Sequence, residues 1–137
     1  MITVKGPILV IGEPIYDGTI LSLEAAERLV NEFNENPNTH LGEFLNCNFP
    51  DVNLQSVSHK INKVTIEGKY VMAEMEILDT PQGKIIQDIF NSGGNLFGSA
   101  SLLKLNNNIT AMYTINVLDH NYLNKPLELV QNITLTK

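Results

Sequence analysis

The residues that could do acid–base or metal chemistry are few in this sequence and lie far apart. They are His40, His59, His120 and one cysteine, Cys47. None of them has a metal-ligand spacing such as His-x-x-x-His or Cys-x-x-Cys, so no metal site and no cofactor are predicted. Each histidine is flanked by polar residues, which indicates a surface or locally capped side chain. The segment around Cys47 holds no charged residue that would favour a thiolate nucleophile.

The composition restricts the class of protein that can position these residues. With 137 residues, of which 43% are hydrophobic, the chain is long enough to bury one core, and a single domain is expected over residues 1–137. Fifteen acidic residues against nine basic ones give a formal net charge of −6, which argues against nucleic acid or anionic lipid as a partner. No stretch approaches the roughly 20 apolar residues of a membrane helix, and the first residues lack the pattern of a signal peptide. We therefore expect one small domain outside the membrane.

Two segments have the periodicity of amphipathic helices. The first helix is predicted over residues 22–36 with Ser22 as its cap, and the second begins at Thr80-Pro81 and ends at Gly93-Gly94. Their apolar stripes are Ala26, Leu29, Val30 and Phe33 in the first helix and Ile85, Ile86, Ile89 and Phe90 in the second. Each helix is expected to pack this stripe against the rest of the domain.

Alternating apolar and polar residues indicate strands in much of the remaining chain. The predicted strands cover residues 2–12, two segments within 59–78, 96–103, 109–118 and 127–135. Gly6-Pro7 is expected to break the first strand, and residues 37–58 are expected to form mostly a long loop. This order predicts an α+β domain, with a mainly antiparallel β-sheet or small barrel and two packed helices.

Four motif segments, together with the first helix, form a pattern that covers nearly the whole chain. The segments are Leu41-Gly42-Glu43, Val52-Asn53-Leu54 with Val57-Ser58-His59-Lys60-Ile61, Ile77-Leu78-Asp79-Thr80-Pro81-Gln82-Gly83-Lys84-Ile85-Ile86 and Gly94-Asn95-Leu96-Phe97-Gly98-Ser99-Ala100-Ser101. This pattern resembles the prohead core protein protease family of tailed phages. The resemblance implies the serine peptidase fold of the herpesvirus assemblins and an activity that cleaves scaffold and capsid proteins during head maturation.

The sequence departs from this family at the two positions where the family carries its chemistry. Members usually have a Gly-Glu-Leu-x-His-Pro segment, whose His is the expected general base, and a Gly-x-Ser-Ser-Arg-Gly segment, which supplies the nucleophile. Aligned without gaps, this sequence places Asn46 at the His and Ala100 at the nucleophilic Ser. An amide does not accept a proton near neutral pH and a methyl group is no nucleophile, so no catalytic residues are expected.

Two hypotheses about function follow from this departure. The first is a non-catalytic structural or interaction protein of the phage virion, assembled in the bacterial host cytoplasm, with capsid or neighbouring virion subunits, or further copies of itself, as partners. The alternative is an active prohead maturation protease with a shifted site, in which Ser101 is the nucleophile, His59 the base and Asp119 or His120 an orienting partner. To bring Ser101 to the position of Ala100 the strand would need a β-bulge, because alternate residues of a strand point to opposite faces.

Overall fold

The computed structural model describes residues 2–14, 19–36, 40–43, 56–105, 108–118 and 134–135. Its elements follow the chain in the order β1 (Ile2–Val10), α1 (Leu23–Glu35), β2 (His40–Glu43), β3 (Val57–Glu67), β4 (Tyr70–Ile77), α2 (Pro81–Asn91), β5 (Phe97–Leu105), β6 (Asn108–Leu118) and β7 (Thr134–Leu135). No helix of this described part is long and apolar enough to cross a membrane.

The strands form two antiparallel sheets. The larger sheet has the order β2-β3-β4-β1-β7, and β5 pairs with β6 as a separate hairpin that lies against β2 on one side and β1 on the other. The prediction of an α+β domain with a mainly antiparallel sheet and two helices is therefore confirmed. Of the two sheet forms that the sequence allowed, the small barrel is not realised, because the described ladders do not close on themselves.

Both helices begin where their capping residues predict. The Ser22 hydroxyl accepts a hydrogen bond from the Ala25 amide (3.2 Å), and the Thr80 hydroxyl accepts one from the Gly83 amide (3.1 Å). The whole predicted stripe of α1 is buried. In α2 only half of the stripe is fully buried, and Ile85 is exposed because it lies at the edge of the packed face.

Two details of the strands differ from the sequence-based expectation. The segment predicted as a loop contains β2 and the start of β3, because four residues without any alternation of their own become a strand by pairing with β3. Strand β1 is also continuous through Gly6-Pro7. The register with β4 shifts between Pro7 and Leu9, and this bulge accommodates the proline, which has no amide hydrogen, without ending the strand.

One buried apolar cluster joins the helices, the inner face of the large sheet and the hairpin. Helix α1 is also held by polar contacts to both sheets. The Arg28 guanidinium donates hydrogen bonds to the carbonyl oxygens of Ile109 (2.9 Å) and Thr110 (3.0 Å) in β6, and the Asn34 amide pairs with the backbone of Val64 in β3. The helix therefore fixes the position of β6 relative to β3.

Candidate functional site

The histidine of the second motif segment lies where β2, β3 and β6 meet. In β3, His59 pairs with Gly42 of β2, whereas Val57 pairs with Glu43. Ser58 is therefore an extra residue on β3 with no partner on β2, and a bulge of this kind lets consecutive side chains turn to the same side. Both Ser58 and His59 are fully buried.

The two ring nitrogens of His59 have different partners. Nε2 lies 2.6 Å from the carbonyl oxygen of Ile115, and Nδ1 lies 2.6 Å from the hydroxyl oxygen of Ser58. Since a carbonyl oxygen can only accept, Nε2 carries the proton and Nδ1 accepts the hydroxyl hydrogen of Ser58. Burial lowers the pKa of His59 from 6.5 to about 4, and the hydrogen bond to Ile115 opposes this effect. The ring is therefore neutral near pH 7.

Strands β2 and β6 touch at this place without a backbone ladder between their described residues. Instead, the Thr114 hydroxyl of β6 donates a hydrogen bond to the Leu41 carbonyl of β2 (2.6 Å). Gly42 packs so closely that a Cβ there would overlap His59 Nε2 and the Ile115 carbonyl oxygen. We call this contact, formed by Leu41, Gly42, Ser58, His59, Thr114 and Ile115, the strand seam.

The position of the expected nucleophile lies one strand away from the strand seam. Ala100 of β5 pairs with Ile115 of β6, and Ser101 pairs with Thr114. The pairing is regular from Phe97 to Ser101, and the first register shift, after Ser101, places the extra residue in β6 and not in β5. The bulge that a shifted Ser101 requires is therefore not present in the backbone of this part of β5.

Three of the sequence-predicted site residues can be located in the structure, and two cannot. His59 is in the strand seam, Ala100 is opposite Ile115, and Ser101 follows it in β5. Asn46, at the expected position of the base, and Asp119, the proposed orienting partner, lie outside the described residues, as do Cys47 and His120. His59 and Ala100 thus lie beside the same residue of β6, Ile115, with the backbone of β6 between them.

The sequence-based interpretation of His59 as a surface or locally capped side chain is confirmed only in part: the neighbouring Ser58 is one of its partners, but the ring is fully buried and its contact with Ile115 was not predicted. Strict strand alternation places Ser58 and His59 on opposite faces, and only the bulge, which depends on pairing with β2, brings them together. The available signal was weak: three adjacent polar residues, Ser58, His59 and Lys60, stand between the apolar Val57 and Ile61 of one strand and interrupt its alternation.

A hydroxyl hydrogen-bonded to an imidazole is the arrangement of a nucleophile and its base. In the strand seam, however, both groups are fully buried, and the second ring nitrogen is bound to a backbone carbonyl and not to a carboxylate. The contact satisfies buried polar groups and joins three strands. Among the described residues, no three His, Cys, Asp or Glu side chains are grouped closely enough to hold a metal ion.

Comparisons with models of protein families, with curated proteins and with solved structures found no match to this chain. The resemblance to prohead proteases is not tested by these comparisons and stays a prediction from the sequence motifs.

Proposed function

We propose that this protein is a non-catalytic structural or interaction component of a tailed-phage particle, with a domain similar to the prohead proteases. The observation that carries the proposal is the state of His59. A general base must direct its lone pair at a hydroxyl that a substrate can reach. In His59 the one acceptor nitrogen is directed at the hydroxyl of Ser58, which is fully buried together with the ring, and Nε2–H donates to Ile115.

The position of the nucleophile supports the same proposal. Ala100 offers only a methyl group, and the regular backbone of β5 up to Ser101 contains no inserted residue that would replace it with a neighbouring serine. An active site would need both a new nucleophile and a released base. Two independent rearrangements are required, and each would break contacts of the folded domain.

The most specific motif of the sequence has a structural explanation that does not involve proteolysis. Thr80 caps α2 and donates its hydroxyl hydrogen to the Val57 carbonyl (2.6 Å), which ties the helix to β3. Gly83 is required by close packing, because a Cβ there would overlap the carbonyl oxygen of Leu78. A descendant that kept the fold and lost the activity would keep these residues.

The alternative function, a maturation protease that uses Ser101, His59 and Asp119, has one observation in its favour. His59 lies against Ile115, the residue that pairs with Ala100, so the only histidine of the strand seam is near the family's nucleophile position. For catalysis the ring would have to leave the Ile115 carbonyl and present a free nitrogen on the other side of β6.

Two measurements test the proposal. The purified chain is incubated with the scaffold and major capsid proteins encoded beside it, and we expect no cleavage product. Quantitative mass spectrometry of purified mature particles is expected to find the chain at a fixed copy number, since a structural component stays whereas a maturation protease is degraded or lost. Cleavage that disappears in Ser101→Ala but persists in the matched control Ser92→Ala, at the exposed C-cap of α2, would contradict the proposal. Absence of the chain from mature particles would contradict it as well.

A further inference from the structure

A second polar site lies at the other end of β2, away from the strand seam. It is a cleft of about 220 Å³ between the end of α1, the beginning of β2 and the middle of β3. Phe33 and Ile61, which are almost completely buried, contribute its apolar part. Its other lining residues are polar: Asn34, Asn36, His40, Lys60 and Asn62.

The cleft exists because β2 is shorter than β3. Strand β2 begins at His40, opposite Ile61, so it does not cover the next part of the β3 edge. Farther along that edge the side-chain amide of Asn34 takes the place of a strand, since Asn34 Nδ2 donates to the Val64 carbonyl (2.7 Å) and the Val64 amide donates to Asn34 Oδ1 (3.0 Å). The gap between these two partners is the cleft. In this gap β3 is bulged, and Asn62 is the residue that the register with β4 leaves out.

The imidazole of His40 is held in a fixed orientation beside the cleft. Its ring stacks on Phe33 with centroids 3.7 Å apart and an interplanar angle of 17°. Nε2 lies 3.1 Å from the Phe33 carbonyl oxygen, so this nitrogen carries a proton and donates it. The contact also occupies one of the last carbonyl groups of α1, which would otherwise face the cleft as a free acceptor.

The charges of the cleft favour an anion. Within the described part of the chain, Lys60 is the one charged residue that lines the cleft, and it forms no ion pair there. Among the residues that the structure describes, no carboxylate lines the cleft, although the chain as a whole has a net charge of −6. The end of α1 opposes an anion with roughly half a negative charge. This is less than the full positive charge of Lys60, and the Phe33 carbonyl is already bound to His40.

We propose that this cleft binds a single carboxylate group, with Lys60 supplying the charge and the side-chain amide of Asn62 a hydrogen bond. The volume decides the size of the ligand, because small-molecule sites usually measure roughly 300–1,000 Å³ and this cleft is smaller. It accommodates a group the size of one side chain. The carboxylate belongs either to a partner protein, as a Glu or Asp side chain or a C-terminus, or to a small free acid.

The test is a solution NMR titration of the full chain at neutral pH with four probes. The probes are sodium acetate, acetamide as its neutral analogue, a short peptide with one internal Glu and an amidated C-terminus, and the same peptide with Gln and a free C-terminus. We expect saturable shifts of the His40 ring and of the Asn62 side-chain amide with at least one carboxylate probe, and none with acetamide. The His59 ring, which belongs to the buried strand seam, is expected to stay unchanged.

Two lysine variants make the result specific. Lys60→Gln is expected to weaken carboxylate binding by at least about tenfold, the effect of losing a charge-assisted hydrogen bond. Lys63→Gln is the matched control, since Lys63 is also an exposed lysine of β3 but lies outside the cleft, and it is expected to leave the affinity unchanged. Binding of either peptide identifies a protein carboxylate, and binding of acetate alone identifies a free acid; both support the proposal.

Three results would overturn the proposal. They are equal shifts with acetate and acetamide, no saturable shift with any probe, and equal weakening of binding by both lysine variants.

Discussion

The two histidines of the β2–β3 pair show how burial decides what one residue type does. His59 is fully buried in the strand seam, and both of its ring nitrogens are bound within the fold. His40, at the other end of β2, is only half-buried, stacks on Phe33 and has one nitrogen bound to a backbone carbonyl. The first ring holds strands together, and the second forms the wall of an open cleft. The residue with the more enzyme-like hydrogen bonds is therefore the one that is least able to meet a substrate.

The sharpest way to break this comparison is to remove each ring in turn. His59→Ala is expected to lower the free energy of unfolding by about 4 kcal/mol, because it opens a cavity, removes the donor to the Ile115 carbonyl and leaves the Ser58 hydroxyl with only a long contact (3.5 Å) to the Gly42 carbonyl. His40→Ala loses a partly exposed stacking contact and one hydrogen bond, and is expected to cost about 1 kcal/mol. Urea unfolding followed by circular dichroism measures both.

A loss of this size is a large share of the 5–15 kcal/mol that usually stabilises a domain. His59→Gln is the milder variant, since its amide can keep one of the two hydrogen bonds, and it is expected to lose about 2 kcal/mol. If the His59 and His40 variants were equally destabilised, the strand seam would not be the stronger of the two sites.

Acid is the second way to separate the two histidines. The pKa of His59 is lowered by burial from 6.5 to about 4, so the unfolded chain takes up this proton at a higher pH than the folded one. As far as His59 is concerned, the free energy of unfolding is highest above pH 6.5 and decreases as the pH falls from 6.5 to about 4. Below about pH 4 this contribution no longer changes, and the total loss is about 3 kcal/mol. Urea unfolding midpoints at several pH values measure this loss. The carboxylates titrate in the wild type and in His59→Gln alike, so the difference between the two pH curves gives the contribution of His59 alone. A wild-type curve parallel to that of His59→Gln between pH 6.5 and 4 would show that the ring is not buried in its neutral form.

The sequence separation between contacting residues explains which parts of the structure could be predicted from the sequence. Both helix starts were predictable, because the capping hydroxyls of Ser22 and Thr80 meet amides only three residues away. The turn between β3 and β4 is equally local, and Gly68 adopts the positive φ of 62° that such a turn requires. These features depend on residue types within one or two turns of backbone.

The contacts of the two polar sites connect residues that are far apart in the sequence. His59 reaches Ile115 56 positions away, and Asn34 pairs with Val64 30 positions away. The same is true of the bulge at Ser58, which follows from its pairing with β2. Periodicity could predict that β3 is a strand but not that Ser58 and His59 share one side of it. The strand β2 was missed for the same reason, since its own four residues have no pattern.

The smallest of the expected effects tests whether the strand seam is held by side chains. Thr114→Val keeps the shape of the side chain and removes the hydrogen bond to the Leu41 carbonyl, so it is expected to cost about 1 kcal/mol. Thr110→Val is the matched control on the same strand, because its hydroxyl bonds the exposed Leu103 carbonyl, and a loss below about 0.5 kcal/mol is expected there. Hydrogen exchange read by mass spectrometry should become faster in β2 for Thr114→Val alone. Since β2 and β6 share no described ladder, unchanged exchange in β2 would mean that the packing of Gly42 against His59 and Ile115 is sufficient to hold the two strands together.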